Sequence, residues 1–293
     1  MKPLRLAFSG CPNDTFVFHA WVQGLIGGAP PVDVQLADID RLNQMALENE
    51  ADVIKVSVHA FARAREQYAL LHSGGAMGRG VGPLVVARKD SFLRPAPSAT
   101  RVTELADNLA RARIAIPGEL TTAALLLGLL TGGLRNTVVM PFDRIMPAVV
   151  DGEVDAGAII HEGRFTFGSY GLRRLLDLGE WWEASTGLPL PLGGIAVSRS
   201  LPLEVQAAVD KAVHASVSWA RSNPDDSREY VAANAQEMDA GVCRAHIDLY
   251  VNEFTVEYGA EGREAIQRLL ASAAGIGVVP DSRRGIFWDE GQA

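Results

Sequence analysis

Short apolar runs alternate along this chain with segments whose apolar residues recur every three to four positions, the pattern of strands and helices taking turns. Leu4–Phe8, Val32–Leu36 and residues 53–56 predict strands. A helix opening at Asn13 or Asp14, either of which would serve as its cap, and a second helix over 39–48 fall between them. Residues 102–109 predict a helix, Ile114–Ile116 a strand and 121–130 a further helix. Beyond residue 200 the pattern is helical: Val205, Val209, Val213 and Val217 mark one face of a helix over 203–220, bounded by Pro224. Helices over 227–236, 242–258 and 261–272 follow, and a polar tail carries Phe287-Trp288, which is expected to dock on the body.

One unit occurs twice. Residues 32–58 and 137–161 each run strand, Asp-Arg-apolar, helix, acidic turn, strand: Asp40-Arg41-Leu42 matches Asp143-Arg144-Ile145, and Asp52 matches Asp155. Two similar α/β halves with a cleft between them are implied. A stretch over 73–82 with five glycines leads into a strand at 83–88, and residues 189–197 repeat the arrangement. These two strands are read as the places where the chain leaves the first lobe and returns. The predicted fold is α/β and two-lobed with a central cleft, resembling a type II periplasmic binding protein. Its first lobe is residues 1–88 plus 196–293, with the C-terminal helices, and its second is 89–195. Alternating strands and helices favour parallel pairing in such a layered fold.

The chain has 293 residues, 48% hydrophobic and 21% charged, with a formal charge of -8. That balance, without a Lys/Arg cluster, argues against a nucleic-acid partner. The longest apolar run, 123–130, is far short of the roughly 20 residues that span a bilayer, so membrane insertion is not expected. The opening residues lack the pattern of a secretory leader, and a cytoplasmic location is expected. Cys11 and Cys243 are too few for a disulfide framework or a zinc site. Oligomeric state is not legible.

In an open α/β sheet the carboxyl ends of the strands face the ligand crevice. Four loops should converge there: 9–14, 57–59, 117–122 and 161–164. The run Asp-Ala-Gly-Ala-Ile-Ile ends at His161, placing an imidazole where a general base would stand. Two of the loops open helices, whose free N–H groups suit an anionic ligand, with Asn13, Thr121 and Thr122 as contacts; Asn13, Asp14 and Thr121 acting merely as caps is an equally good reading. His59 is read as either a substrate contact or a structural residue. His19, His72, His214 and His246 are placed away from the crevice in packing or solvent-facing roles, and Arg164 outside the pocket. His161-Glu162 lacks the second histidine of a zinc-protease helix, since position 165 is Phe, and Gly78-Arg79-Gly80-Val81-Gly82 precedes a strand where a dinucleotide loop must follow one. Trp181-Trp182 is read as a hydrophobic anchor between lobes.

Ser9-Gly10-Cys11-Pro12-Asn13-Asp14-Thr15-Phe16, Lys55-Val56-Ser57-Val58-His59-Ala60, Ile116-Pro117-Gly118-Glu119-Leu120-Thr121-Thr122-Ala123, His161-Glu162-Gly163-Arg164-Phe165-Thr166 and Asp177-Leu178-Gly179-Glu180-Trp181-Trp182 closely resemble the 1,4-dihydroxy-6-naphthoate synthase family of the futalosine route to menaquinone. The likeness spans most of residues 1–200 in collinear order. It implies a lyase that converts cyclic dehypoxanthine futalosine, a small-molecule carboxylate, into 1,4-dihydroxy-6-naphthoate with release of dihydroxyacetone, using no metal or organic cofactor. It carries the proton-accepting histidine onto His161 and the substrate contacts onto Lys55, Val56, Ser57, Thr121 and Thr122. Gly10 stands where many relatives are expected to have proline, and Ile54 where a hydroxyl residue is frequent. The alternatives are a chorismate dehydratase of the same pathway, against which the segment 161–166 argues, and a non-catalytic solute-binding protein.

Overall fold

The computed structural model describes residues 2–96, 98–235 and 239–290. The first unit runs β1 (Leu4–Phe8), α1 (Pro12–Val22), β2 (Val32–Leu36), α2 (Ile39–Leu47) and β3 (Val53–Ser57), followed by α3 (Val58–Ala64), β4 (Tyr68–Leu70) and β5 (Ala76–Gly78). Then β6 (Leu84–Arg88) and α4 (Ala99–Leu109) lead into the second: β7 (Ile114–Ile116), α5 (Thr122–Thr131), β8 (Thr137–Val139), α6 (Phe142–Asp151) and β9 (Ala156–Ile159). After α7 (Gly163–Thr166) and a 3-10 turn come β10 (Leu172–Asp177), α8 (Leu178–Thr186) and β11 (Leu190–Ser198). The chain closes with α9 (Leu203–Ser222), α10 (Arg228–Asn234), α11 (Ala240–Tyr250), α12 (Glu253–Val256) and α13 (Gly259–Gly275).

The fold is mixed α/β, with two sheets. The first has the order β2-β1-β3-β11-β4, with β5 also on β11, and the second β10-β6-β9-β7-β8. The duplicated unit is visible in both: β2-β1-β3 and β8-β7-β9 are parallel trios, each extended by one antiparallel strand beside its third member. That extra strand is exchanged. β6, which precedes the second unit, pairs with β9 in the second sheet, and β11, which follows it, pairs with β3 in the first. The expected division at residue 88 is therefore displaced: Leu84–Arg88 lies in the second sheet, and all of Leu190–Ser198 lies in the first. The glycine-rich run supplies the crossing. A Cβ on Gly82 would stand 2.1 Å from the backbone nitrogen of Gly179, so only glycine lets those segments touch.

Three other expectations change. α1 begins at Pro12, not after an Asn13 or Asp14 cap; proline is at home in the first helical position, where no N–H is needed. Residues after Ser57 turn at once into α3, because the Ser57 hydroxyl accepts the Ala60 N–H and caps it. The helix expected over 242–258 is two helices. Asn252 breaks it, accepting from Phe254 N at 3.0 Å while its own N–H reaches Thr255 Oγ1 at 3.1 Å, a reciprocal cap. The tail does dock: Phe287 is fully buried, the Leu70 N–H donates to Ile286 O, and the Trp288 N–H donates to Leu70 O along the edge at β4. Trp182 is buried in the core, its indole N–H on Pro189 O. Among the described residues no helix is long and apolar enough to cross a membrane.

Candidate active site

The carboxyl ends of β1, β3, β7 and β9 meet in one cavity of about 100 Å³, walled by Asn13, Lys55, Ser57, Thr121, Thr122 and His161 together with Ser9, Cys11, Asp14, Ala123, Arg164, Leu192, His246 and Tyr250. Val56 is the exception among the expected contacts. Side chains alternate along a strand, so Lys55 and Ser57 face the cavity while Val56 is fully buried in the core.

On the first lobe, Pro12 opens α1 so early that Asn13 and Asp14 fall in its first turn with their side chains free for the cleft. Asp14 accepts from Ser9 Oγ at 2.6 Å and from Asn13 Nδ2 at 2.9 Å, and forms a buried ion pair with Lys55 Nζ. Lys55 thus enters through its ammonium. A buried pair of this kind is tolerable only with its remaining hydrogen bonds satisfied, as the Ser9 and Asn13 donors satisfy Asp14.

Ser57 donates to the carbonyl of Leu120 from the opposite lobe, and Asn43 Nδ2 reaches the same carbonyl at 3.3 Å. His59 lies outside the cavity wall, 3% exposed, with Nδ1 3.3 Å from Thr121 O, and burial pushes its imidazole down to about 4.

The second lobe contributes the start of α5. Thr121 caps it, accepting the Ala124 N–H at 3.2 Å while donating to Gly118 O at 2.8 Å. Thr122 donates to Leu192 O at 2.5 Å. Both hydroxyl hydrogens, like that of Ser57, are committed to backbone carbonyls, and of the two threonines Thr121 alone also caps the helix. The groups left over are the backbone N–H of Thr122 and Ala123, in the first turn of a ten-residue helix whose dipole favours an anion.

His161 follows β9 in a left-handed conformation, φ 54°, which a non-glycine side chain adopts at a cost that tends to be met at functional sites. Its Nδ1 is 2.9 Å from Cys11 Sγ, and the Phe142 ring packs 5.0 Å away. Burial lowers the imidazole and, with Glu162 and Asp14 nearby, raises the thiol, so both are neutral at pH 7.

Two expectations are corrected. Arg164 is in the cavity wall, but its guanidinium is spent on Gly82 O at 2.6 Å and Asp177 Oδ2 at 2.7 Å, bracing the crossing segment. His246, placed away from the crevice by its helical pattern, is 2% exposed in the wall, because α11 ends early enough to lay its buried face over the cleft. The sequence held a faint signal for it, since His246 and Tyr250 share one helical face four residues apart. For Cys11 the signal was Pro12, which marks the residue before it as the helix boundary. Among the described residues no three His, Cys, Asp or Glu side chains gather as a metal site.

Residues 4–275 match the family described as menaquinone biosynthesis. The chain is 49% identical over 283 residues to a 1,4-dihydroxy-6-naphthoate synthase of Streptomyces coelicolor, covering 94% of this chain and 95% of that one. It is 45% identical over 287 residues to the Thermus thermophilus protein of the same name, covering 98% and 100%. A crystal structure of an Archaeoglobus fulgidus protein superposes with a TM-score of 0.84 at 35% identity, over 94% of this chain and 98% of that one. The alkanesulfonate-binding protein of Xanthomonas axonopodis pv. citri, at 14% identity and a TM-score of 0.69 over 96% and 95%, shares the fold, that of the periplasmic binding proteins.

Proposed function

The chain belongs to the menaquinone-biosynthesis family, and on that premise we propose that it is a 1,4-dihydroxy-6-naphthoate synthase, a carbon–carbon lyase that converts cyclic dehypoxanthine futalosine into 1,4-dihydroxy-6-naphthoate and dihydroxyacetone. The observation that carries the reading is His161, an imidazole held in a left-handed backbone conformation in the wall of the same cavity that the open N-terminus of α5 lines. The N–H groups of Thr122 and Ala123 hold the substrate carboxylate, and the apolar walls, Leu192 and Ala123 among them, take the ring body. Lys55 adds positive potential that Asp14 largely offsets.

His161 removes one proton. The carbon–carbon bond to the sugar-derived arm then breaks in the retro-aldol sense: the oxygen on the ring carbon becomes a carbonyl, the bonding pair leaves with the arm as the enol of dihydroxyacetone, and tautomerisation of the ring ketone to the 1,4-diol makes the product aromatic.

The test is product analysis. Purified protein incubated with cyclic dehypoxanthine futalosine should yield the naphthoate and dihydroxyacetone in equal amounts. Consumption of chorismate instead would replace this reading with a dehydratase, and binding without turnover of either would replace it with a solute-binding role.

A further inference from the structure

The cavity holds a second imidazole that the proposed chemistry leaves idle. His246 Nε2 is 2.9 Å from Asn13 Oδ1. The orientation of that amide is fixed from its other end, since Asn13 Nδ2 faces the Asp14 carboxylate at 2.9 Å and must be the donor. Asn13 Oδ1 can only accept, so His246 Nε2 carries the hydrogen and Nδ1 is the bare nitrogen.

That bare Nδ1 is buried and has no hydrogen-bond partner among the described residues. Glu162 Oε1, 3.6 Å away, is another acceptor. A buried acceptor beside an acceptor, on a residue that lines the ligand cavity, is an incomplete arrangement that a donor would complete. Its position is beside the reacting centre, with the ring 6.3 Å from that of His161 and nearly perpendicular to it.

We propose that Nδ1 of His246 receives a hydrogen bond from a hydroxyl of the bound substrate, and that His246 is therefore a specificity-determining residue for the hydroxyl-bearing, sugar-derived arm. The assignment rests on the lyase reading for the identity of the arm. The ligand chemistry it specifies is a neutral O–H donor within a few ångströms of the bond that His161 acts on. An ether or methylene in that place leaves the nitrogen unpaired and is rejected. Glu162 strengthens the contact, because partial positive charge on the imidazole as it draws the hydroxyl proton faces a carboxylate.

Two substitutions separate this role from a merely structural one. The amide of His246→Gln places a donor near the old Nε2 and keeps the bond to Asn13, but has nothing at Nδ1; His246→Asn does the reverse, keeping an acceptor near Nδ1 and losing the bond to Asn13. The expected result is a KM for cyclic dehypoxanthine futalosine raised roughly tenfold in His246→Gln and within about threefold of wild type in His246→Asn. Binding of 2-naphthoate, which has no hydroxyl, should be unchanged in His246→Gln. The opposite ranking would mean that the histidine acts through Asn13, and a wild-type KM in His246→Gln would overturn the contact outright. If wild-type protein fails to turn the substrate over, the lyase reading falls separately. In that case, or if neither variant folds, the 15N resonance of His246 Nδ1 in wild-type protein decides: an upfield movement on adding dihydroxyacetone supports the contact, and an unmoved resonance refutes it.

Discussion

Cys11 Sγ and His161 Nδ1 lie 2.9 Å apart although 150 positions separate them, one at the end of β1 and the other just past β9. The contact joins the loop after the central strand of the first trio to the loop after the third strand of the second, and occupies one ring nitrogen of the histidine. The other nitrogen, Nε2, is left for chemistry, since the partner of one imidazole nitrogen sets the state of the other. Cys11 is thus a positioning residue. Cys11→Ser should keep turnover within about threefold of wild type, and Cys11→Ala should lower kcat by about 3- to 10-fold with little change in KM, the worth of one neutral hydrogen bond. Equal kcat in Cys11→Ala and wild type would show that the thiol does not orient the ring.

His161→Ala should leave the thermal unfolding midpoint within a few degrees of wild type and cut kcat by about 10² to 10⁴, the usual contribution of one acid–base group. Burial holds the wild-type imidazole below its ordinary range near 6.5, so the acidic limb of kcat against pH should lie below that value. A limb centred above 6.5 would point to a different group.

The Lys55–Asp14 pair makes a sharper stability test than any surface charge. Lys55→Met leaves a buried carboxylate without its cation and should cost about 3 to 5 kcal/mol in urea unfolding. Adding Asp14→Asn should recover most of that loss, because the uncompensated charge is then gone. Activity should be recovered less fully than stability in the double variant if the ammonium also contributes to substrate potential.

Buried neutral histidines make the fold sensitive to acid. For His59, folding lowers the imidazole from about 6.5 to about 4, so the unfolded chain binds the proton first as pH falls. Its contribution is fully present above about 6.5 and is lost progressively down to about 4. At pH 5 the loss from His59 alone is on the order of 2 kcal/mol. The urea midpoint should therefore fall between pH 7.5 and pH 5, and fall less in His59→Asn, whose amide can still donate to Thr121 O.

The parallel trios were legible because their strands are short and rich in apolar residues, and because the unit occurs twice. α3 was hidden because it begins at the residue after β3 with no loop between them, and the cap by Ser57 tells the chain to turn. β4 and β5 have three residues each and offer no periodicity. In the site, strand ends bring His161, Ser57 and Thr121 to the cavity wall, whereas His246 reaches it from a helix almost two hundred residues from Lys55, which no strand-end argument could place. Gly10, noted as a departure from proline, has a local reason: a Cβ there would stand 2.6 Å from the carbonyl oxygen of Asn234 at the end of α10.

The exchange of β6 and β11 also sets an order on synthesis. Every strand of the second sheet lies between residues 84 and 177, so that sheet has all its partners as soon as this stretch has left the ribosome. The first sheet does not. β3 is made early, yet its neighbour on the open side is β11, where Ser57 waits for Gly193. Until then the nascent chain carries the unpaired edge of a strand that the finished fold buries along its whole length, the sort of edge that recruits other chains. The later-made half is the one free to fold first, and the half that supplies Lys55 and Ser57 to the cleft is the one most exposed to error while the chain is being made.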